Sequence, residues 1–383
     1  MTGSEVTSAA IPADMLAAVL DEGSSTMVFE RIPVPVPQRD EALVRIVACG
    51  VCHSDLHVLK GELAFPRPSV LGHEVSGTVV AIGEGTTRAK VAPGDNVVGA
   101  FVMPCNACEA CDRGRDDLCI NFFEINRLKG QLYDGESRLH RKDGSELAMY
   151  SMGGLAEYAV IPLTAIAKVP DGIDLADAAI LGCAVFTAFG AVRRGAELGL
   201  GEAVVVVGIG GVGSSIIQIA RTVGAWPIIA VDISDEKLLL ATELGAHFTV
   251  NARKVDAVQE VKAITSGAGS DVVFEALGTE HTFTQALAML CEGGRLVAVG
   301  LAPAGTSAAV EITPLVRRSQ RIIGSYGART RTDLADVVQL VANGSFRLDQ
   351  AISRRFPFAE ANEAYKALGD GQITGRAIIQ IGG

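Results

Sequence analysis

Positive charge is what this sequence is short of: Lys and Arg number 33 against 44 Asp and Glu, and the formal net charge is −11 at pH 7. Nucleic acid and anionic membranes both demand a basic face, so neither is expected as a main partner. No uninterrupted apolar run approaches the roughly 20 residues that a bilayer-spanning helix needs. The stretch from Met1 to Asp14 lacks the basic start and apolar block of a secretory leader, which makes the cytoplasm the expected compartment. Low-complexity tracts and solenoid repeats are also missing. The 49% hydrophobic and 20% charged composition is that of a soluble globular chain. At 383 residues the chain is too long for one comfortable core, so two domains are expected.

The chain changes rhythm part-way. Its first third reads as short strands and turns: Ala42 to Ala48 is an apolar run, Gly72 to Val80 leads to another turn, and Pro33, Pro35 and Pro37 mark an extended entry. After about Leu181 the pattern differs. Ala178 to Ala191 has helical spacing, and Ala203 to Val207 is a solid apolar run ending in glycines. Further buried-type runs follow at Ile228 to Val231, Asp271 to Leu277, Arg295 to Leu301 and Arg321 to Gly324. Amphipathic segments at Ser214 to Val223, Asp235 to Leu244 and Val255 to Thr265 separate them. Continuous apolar strands alternating with helices imply a parallel sheet covered on both faces. The fold class is therefore α/β, a β-rich domain beside a doubly wound parallel sheet. Asn121 to Met152 is polar and turn-rich, a long excursion, and the tail ends in a strand-like Gly375 to Ile381.

The run Val204 to Val207 enters Gly208-Ile209-Gly210-Gly211-Val212-Gly213, and a helical pattern begins at Ser214. Strand, glycine turn and helix together form a dinucleotide seat. Gly208 makes the turn, Gly210 admits a pyrophosphate to the backbone amides, and Gly213 lets the helix pack closely. The helix N-terminus offers free N–H groups to the phosphates. Asp232 lies at the end of the next strand, about 20 residues beyond the glycines. A carboxylate there accepts from ribose hydroxyls and repels a 2′-phosphate, which favours NAD over NADP. Lys237 is placed to reach the same ribose.

Eight cysteines complete the inventory. Reducing conditions disfavour a disulfide framework in such a chain, so clustered thiols point to metal. Cys105-x2-Cys108-x2-Cys111-x7-Cys119 has the spacing of a closed, structural zinc site. Cys52, His73 and Cys183 are too dispersed for spacing to group them.

A resemblance groups them. Gly50-Val51-Cys52-His53-Ser54-Asp55-Leu56-His57, Gly72-His73-Glu74-x2-Gly77-x5-Gly83, the four-cysteine lobe, Gly182-Cys183 and the glycine turn follow one another as in the medium-chain zinc-dependent alcohol dehydrogenases. Thr86 departs from that family's pattern. The likeness covers essentially the whole chain and is to the long-loop, two-zinc type. It implies a GroES-like catalytic domain in residues 1–183, with a structural zinc lobe at about 104–120. A Rossmann NAD domain in residues 184–327 and a catalytic return in 328–383 complete the expected division. It implies a catalytic zinc on Cys52, His73 and Cys183, with water or substrate in the fourth place and Glu74 close behind. Asp55 would orient His73. Ser54 would contact the alcohol hydroxyl and His57 would pass its proton to solvent. His53 and Arg376 would lie near the pyrophosphate, Thr187 near the cofactor and Phe101 near substrate. The implied reaction is hydride transfer between an alcohol, or the corresponding carbonyl compound, and NAD. A homodimer or homotetramer joined at the edges of the NAD-domain sheets is expected.

Three other readings stand beside it. The stretch Asn126 to Gly135 resembles the thiol-adduct formaldehyde dehydrogenase branch. That branch typically replaces the relay histidine and carries an arginine where this chain has Phe122-Phe123-Glu124. A polyol or amino-alcohol dehydrogenase of the same superfamily is not excluded by the cysteine lobe. A non-catalytic zinc- or nucleotide-binding scaffold would not need the ligands, the relay and Asp232 all at once.

Overall fold

The computed structural model describes residues 11–382. Most of the leader stretch read from the sequence, Met1 to Ala10, lies outside them. Three sheets organise the described residues. One has six parallel strands in the order Phe248–Asn251, Ile228–Asp232, Val204–Val207, Ser270–Glu275, Leu290–Ala298, Arg321–Gly324. That order reverses beside Val204–Val207, and the crevice at such a reversal is where doubly wound sheets bind their ligands. Alternate residues of a strand face opposite sides, and here both sides are covered. Val204, Val206, Ile228, Ala230 and Phe274 pack into the main core, while Val205, Val207, Ile229, Val231 and Val273 form a second cluster behind the sheet. Two buried faces leave no polar alternation, which is why these strands read as solid apolar runs.

A second sheet explains why the tail returns. Glu41–Gly50 pairs with Val75–Ile82 on one side and with Tyr158–Pro162 and the last strand, Arg376–Gln380, on the other. Arg376–Gln380 in turn pairs in parallel with Ile352–Pro357. The chain end is thereby hydrogen-bonded to the strand that delivers Cys52. The third sheet places Ser69–Val70 between Asp14–Leu20 and Glu146–Met149. The 121–152 excursion is thus not featureless: it supplies the strands Leu139–His140 and Glu146–Met149 and a π-type turn, Phe122–Arg127.

Two sequence expectations need correction. The helical pattern from Ala178 to Ala191 is broken: a 3-10 segment, Asp177–Gly182, gives way at Cys183 (φ −137°, ψ −70°) to the helix Ala184–Gly190. The absence of a long apolar run is also overstated. Asp177–Gly195 has the length and hydropathy of a membrane span, with 78% of its apolar window buried inside the fold. Its apolar character serves the seam between the two parts of the molecule.

Candidate metal centre and cofactor cleft

Three elements converge on one point. Cys52 caps the short helix His53–Leu59 immediately after the strand Glu41–Gly50. His73 and Glu74 precede the strand Val75–Ile82, and Cys183 occupies the helix break. Strand pairing holds the first two in register, with Gly50 N donating to the Glu74 carbonyl at 2.7 Å. The result brings Cys52 Sγ, a His73 ring nitrogen, a Glu74 carboxylate oxygen and Cys183 Sγ within 4.8 Å of one another. Residues 131 positions apart in sequence, by the difference of 183 and 52, share one pocket.

The chemistry of this set fits a divalent cation. Asp55 is fully buried, and its Oδ1 lies 3.1 Å from His73 Nδ1 and accepts from Gly72 N at 3.0 Å. A carboxylate only accepts, so Nδ1 carries the proton and Nε2 is left with a lone pair for metal. The Cys52 thiol is held well below its ordinary value, chiefly by a hydrogen bond from Cys183 and, against burial, by His73 and Arg376. The same bond, with burial, pushes Cys183 well above. Burial opposes charge on His73, yet Asp55 and Cys52 outweigh it and raise it to about 9. Two thiols and a buried carboxylate crowded around one imidazole are what a doubly charged ion would relieve. Glu74 points into this cluster too. Its Oε1 is paired with Arg376, and its Oε2 is buried without a partner.

The lobe cysteines form a separate cluster, again within 4.8 Å of one another. Cys105 Sγ to Cys111 Sγ is 4.0 Å and Cys108 Sγ to Cys119 Sγ is 3.9 Å. A disulfide needs about 2.05 Å, whereas ligand sulfurs around a tetrahedral zinc sit about 3.8 Å apart. The lobe therefore fits a zinc with no open corner. Of the remaining cysteines, Cys49 is buried and its thiol is pushed up by burial, and Cys291 is raised to about 11 for the same reason. Neither joins a metal cluster among the described residues.

The glycine turn expected to seat a dinucleotide approaches this centre through Arg376, whose side chain runs between Gly211 and Glu74. Gly208 has φ 91°, and a side chain on Gly213 would strike the Gly208 carbonyl, so both positions require glycine. Gly210 is the N-cap of the helix Gly211–Val223 and supplies no capping side chain. Neighbouring helices are capped by Ser234, Asp256 and Thr279. Unlike those three, the helix Gly211–Val223 leaves its first N–H groups without a side-chain cap, with Gly211 and Val212 in its opening turn, an end suited to an anion. Asp232 Oδ2 accepts from Ile209 N at 2.8 Å, and Oδ1 from Ile233 N and Ser234 N at 2.7 and 3.0 Å. It thus staples the glycine turn to the neighbouring strand, a duty the sequence alone did not suggest. Oδ2, with one such bond, retains acceptor capacity for a further donor such as a hydroxyl.

Residues 38–171 match the family described as alcohol dehydrogenase GroES-like domain, and residues 211–343 match zinc-binding dehydrogenase. An NDMA-dependent alcohol dehydrogenase of Amycolatopsis methanolica is 33% identical over 361 residues, covering 93% of this chain and 96% of its own length. The chain belongs to the medium-chain zinc alcohol dehydrogenase family. Two solved relatives have the same fold. An alcohol dehydrogenase zinc-binding domain protein from Burkholderia ambifaria aligns with TM-score 0.90 at 32% identity, over 97% of this chain and 99% of its own. Benzyl alcohol dehydrogenase from Acinetobacter calcoaceticus aligns with TM-score 0.90 at 30% identity, over 96% and 99%.

Around this zinc-dehydrogenase cleft the other expected site residues are distributed unevenly. Phe101 is buried beside the ligand set, its ring 5.9 Å from that of His73. Ser54 Oγ is 3.8 Å from Cys52 Sγ. Thr187 is buried one turn beyond Cys183, to whose carbonyl its N–H donates at 2.8 Å. Arg376 is buried, runs against Gly211 and ends on Glu74, so it joins the glycine turn to the candidate metal centre. His53 is exposed and Lys237 half-buried at the cleft's outer side, His53 with its ring 6.4 Å from that of His57. His57 Nδ1 is hydrogen-bonded to Glu62. Sequence reasoning missed Glu62, Arg127, Tyr150 and Tyr326. Tyr150 meets His73 edge-on, ring centres 5.5 Å apart, and Tyr326 lies 5.4 Å from Phe101.

Proposed function

We propose that the chain oxidises an alcohol to an aldehyde or ketone, and reduces the carbonyl in reverse, using zinc and NAD. The convergence of Cys52, His73 and Cys183 at the mouth of the dinucleotide crevice carries this reading. When bound, zinc supplies a Lewis acid for the substrate oxygen and NAD supplies the hydride acceptor.

The chain's own residues do the rest. Ser54 takes the hydroxyl proton and hands it toward His57, whose Nδ1 is engaged by Glu62 and whose Nε2 is therefore the receiving nitrogen. Asp55 keeps His73 in the tautomer that leaves Nε2 for metal. Phe101, Tyr150 and Tyr326 wall the site with aromatic surface and keep water from the reacting carbon. The uncapped helix at Gly210 and the Arg376 side chain receive the pyrophosphate, and Asp232 and Lys237 the ribose. The lobe at Cys105 to Cys119 holds a second, structural zinc. The division into residues 1–183, 184–327 and 328–383 fits this assignment of tasks. A cytoplasmic homodimer or homotetramer completes the proposal; the exposed outer strand Arg321–Gly324 is the sheet edge available for pairing.

Zinc-replete protein incubated with benzyl alcohol and NAD should generate NADH, followed by its absorbance. NDMA is added in a parallel arm because the Amycolatopsis relative carries it in its name. Product formation only when NDMA is present would contradict NAD as the exchangeable acceptor. The same assay tests the ribose assignment. Asp232→Gly should narrow the preference for NAD over NADP by on the order of tenfold or more, the worth of one charge-assisted hydrogen bond. An unchanged kcat/KM ratio for the two cofactors would remove Asp232 from the ribose.

A further inference from the structure

Arg127 has no place in the chemistry above, yet a single ring separates it from a candidate metal ligand. It closes the π-type turn Phe122–Arg127 in the long excursion. The turn is pinned by the fully buried Asn126, whose Nδ2 donates to the Gln131 and Ser151 carbonyls at 3.2 and 3.0 Å. The guanidinium carbon of Arg127 lies 4.0 Å from the centre of the Tyr150 ring. Nη2 donates to the Tyr150 hydroxyl at 2.7 Å and to the Tyr326 hydroxyl at 3.3 Å. Nη1 is sealed from solvent and has no acceptor. Among the described residues no carboxylate forms an ion pair with this side chain, whereas Arg138 is paired with Glu41 and Asp134, Arg295 with Glu202 and Arg376 with Glu74. A desolvated guanidinium without a counter-charge is costly to keep. Sealed in this way, it acts on the site only through the two tyrosines.

Both tyrosines lead to His73. The Tyr150 ring meets the imidazole edge-on, with centres 5.5 Å apart and planes at 78°. Tyr326 meets Phe101 at 5.4 Å, and Phe101 in turn meets the imidazole at 5.9 Å and 74°. The two tyrosines come from different sheets. Tyr150 follows the strand Glu146–Met149, and its N–H donates to the Val70 carbonyl at 3.0 Å. Tyr326 follows the strand Arg321–Gly324, where a Cβ on Gly327 would lie 2.9 Å from Val102 and 3.0 Å from Phe101. The bond from Nδ1 to Asp55 fixes one atom of the imidazole but leaves the ring plane free to swing about it. Edge-on aromatic contacts resist that swing, and a tetrahedral ion needs the Nε2 lone pair aimed at it. We propose that Arg127 is a positioning residue for His73: by clamping Tyr150 and Tyr326 it holds the imidazole plane at the angle from which Nε2 faces the catalytic zinc. The inference rests on the zinc part of the function proposed above. The charge of Arg127 suits the same place. A divalent ion held by two thiolates beside the Asp55 carboxylate leaves one negative charge over, because Glu74 is already matched by Arg376.

The test uses the full chain as wild type, Arg127→Met, Arg127→Lys, Tyr326→Phe and the double variant Arg127→Met/Tyr326→Phe. Competition with a chromophoric chelator reads zinc affinity at the two sites, the cysteine lobe serving as the internal control. Cobalt(II) in place of the catalytic zinc reports coordination geometry through its visible absorption. Arg127→Met should weaken zinc at the catalytic site by on the order of tenfold, the lower end of what a group behind a metal ligand contributes, and should shift the cobalt bands. The lobe should hold its zinc within about twofold of the wild type, because its ligands are separate. Tyr326→Phe, which deletes a single hydroxyl, should act in the same direction by about threefold, the worth of one modest hydrogen bond. The double variant should fall short of the product of the two single effects, since both loosen one clamp. Arg127→Lys should fall between wild type and Arg127→Met, keeping the charge but not the planar fork. None of these readings involves turnover. A wild type that binds both zincs yet oxidises no alcohol would remove the catalytic reading while affinity and cobalt spectrum still decide the role of Arg127. A wild type with zinc in the lobe alone would take both down. Unchanged catalytic-site affinity and cobalt bands in Arg127→Met, equal weakening of both sites, or a fully multiplicative double variant would overturn the proposal. Should Arg127→Met fail to fold, Tyr326→Phe with wild-type affinity and cobalt bands would overturn it equally.

Discussion

Cys52→Ala and Cys183→Ala should each lower turnover by about a thousandfold or more while leaving NAD affinity within roughly twofold. Each thiol is one of four side chains that converge at the candidate metal centre, and neither belongs to the glycine turn. Removing either leaves a two-residue set, with Glu74 the remaining nearby oxygen and already committed to Arg376. The pyrophosphate seat at Gly208 to Gly213 and the carboxylate of Asp232 stay in place, so cofactor titration monitored by fluorescence separates the two effects. Retained turnover in either variant would take that cysteine out of the metal centre. Joint loss of turnover and NAD binding would instead mean that the helix break at Cys183 holds the two parts of the molecule together.

Cys108→Ser should act on stability, lowering the melting temperature by about 5 °C or more and removing close to one zinc per chain. The lobe has little core of its own, and its loops are tied to the sulfurs. Cys119 Sγ accepts from Cys105 N at 3.3 Å and Phe122 N at 3.4 Å, and Cys105 Sγ from Ala107 N at 3.4 Å. Arg331, at the start of the helix Thr330–Ala342, grips the lobe through Asp116 and the Cys111 carbonyl. Loss of the metal therefore loosens the lobe and that helix's first turn together. Residual activity should persist at low temperature, because the catalytic cluster is separate. A melting curve and zinc content matching the wild type would contradict a structural site.

How much of this could be read from sequence follows from what each feature depends on. The strands Val204–Val207 and Ile228–Asp232 were legible because burial on both faces removes polar alternation, and the glycine turn because sterics forbid side chains there. The lobe was legible because its four cysteines are local in sequence. Cys52, His73 and Cys183 were not groupable by spacing; their proximity is a product of strand pairing and a helix break. Only resemblance joined them, and the structure brings them together. Cys183 itself interrupts what reads as one helix, since hydrophobic spacing carries no mark of a broken turn. Arg127 and Tyr150 were hidden for a different reason. They sit in the 121–152 excursion, whose course is set by the Glu146–Met149 strand joining the sheet beside Ser69–Val70. No local pattern announces that pairing. Asp232 was found, but its three backbone bonds were not, because a strand-end carboxylate looks the same whether it faces a ribose or a turn.

The most direct test is anomalous diffraction at the zinc edge from crystals of metal-replete protein. The account predicts two peaks per chain. One should lie about 2.3 Å from each lobe sulfur, and the other about 2.0–2.3 Å from Cys52 Sγ, His73 Nε2 and Cys183 Sγ, with its remaining position facing the nicotinamide crevice. A peak in the lobe alone, or a second ion closed off by Glu74 with and without substrate, would contradict it.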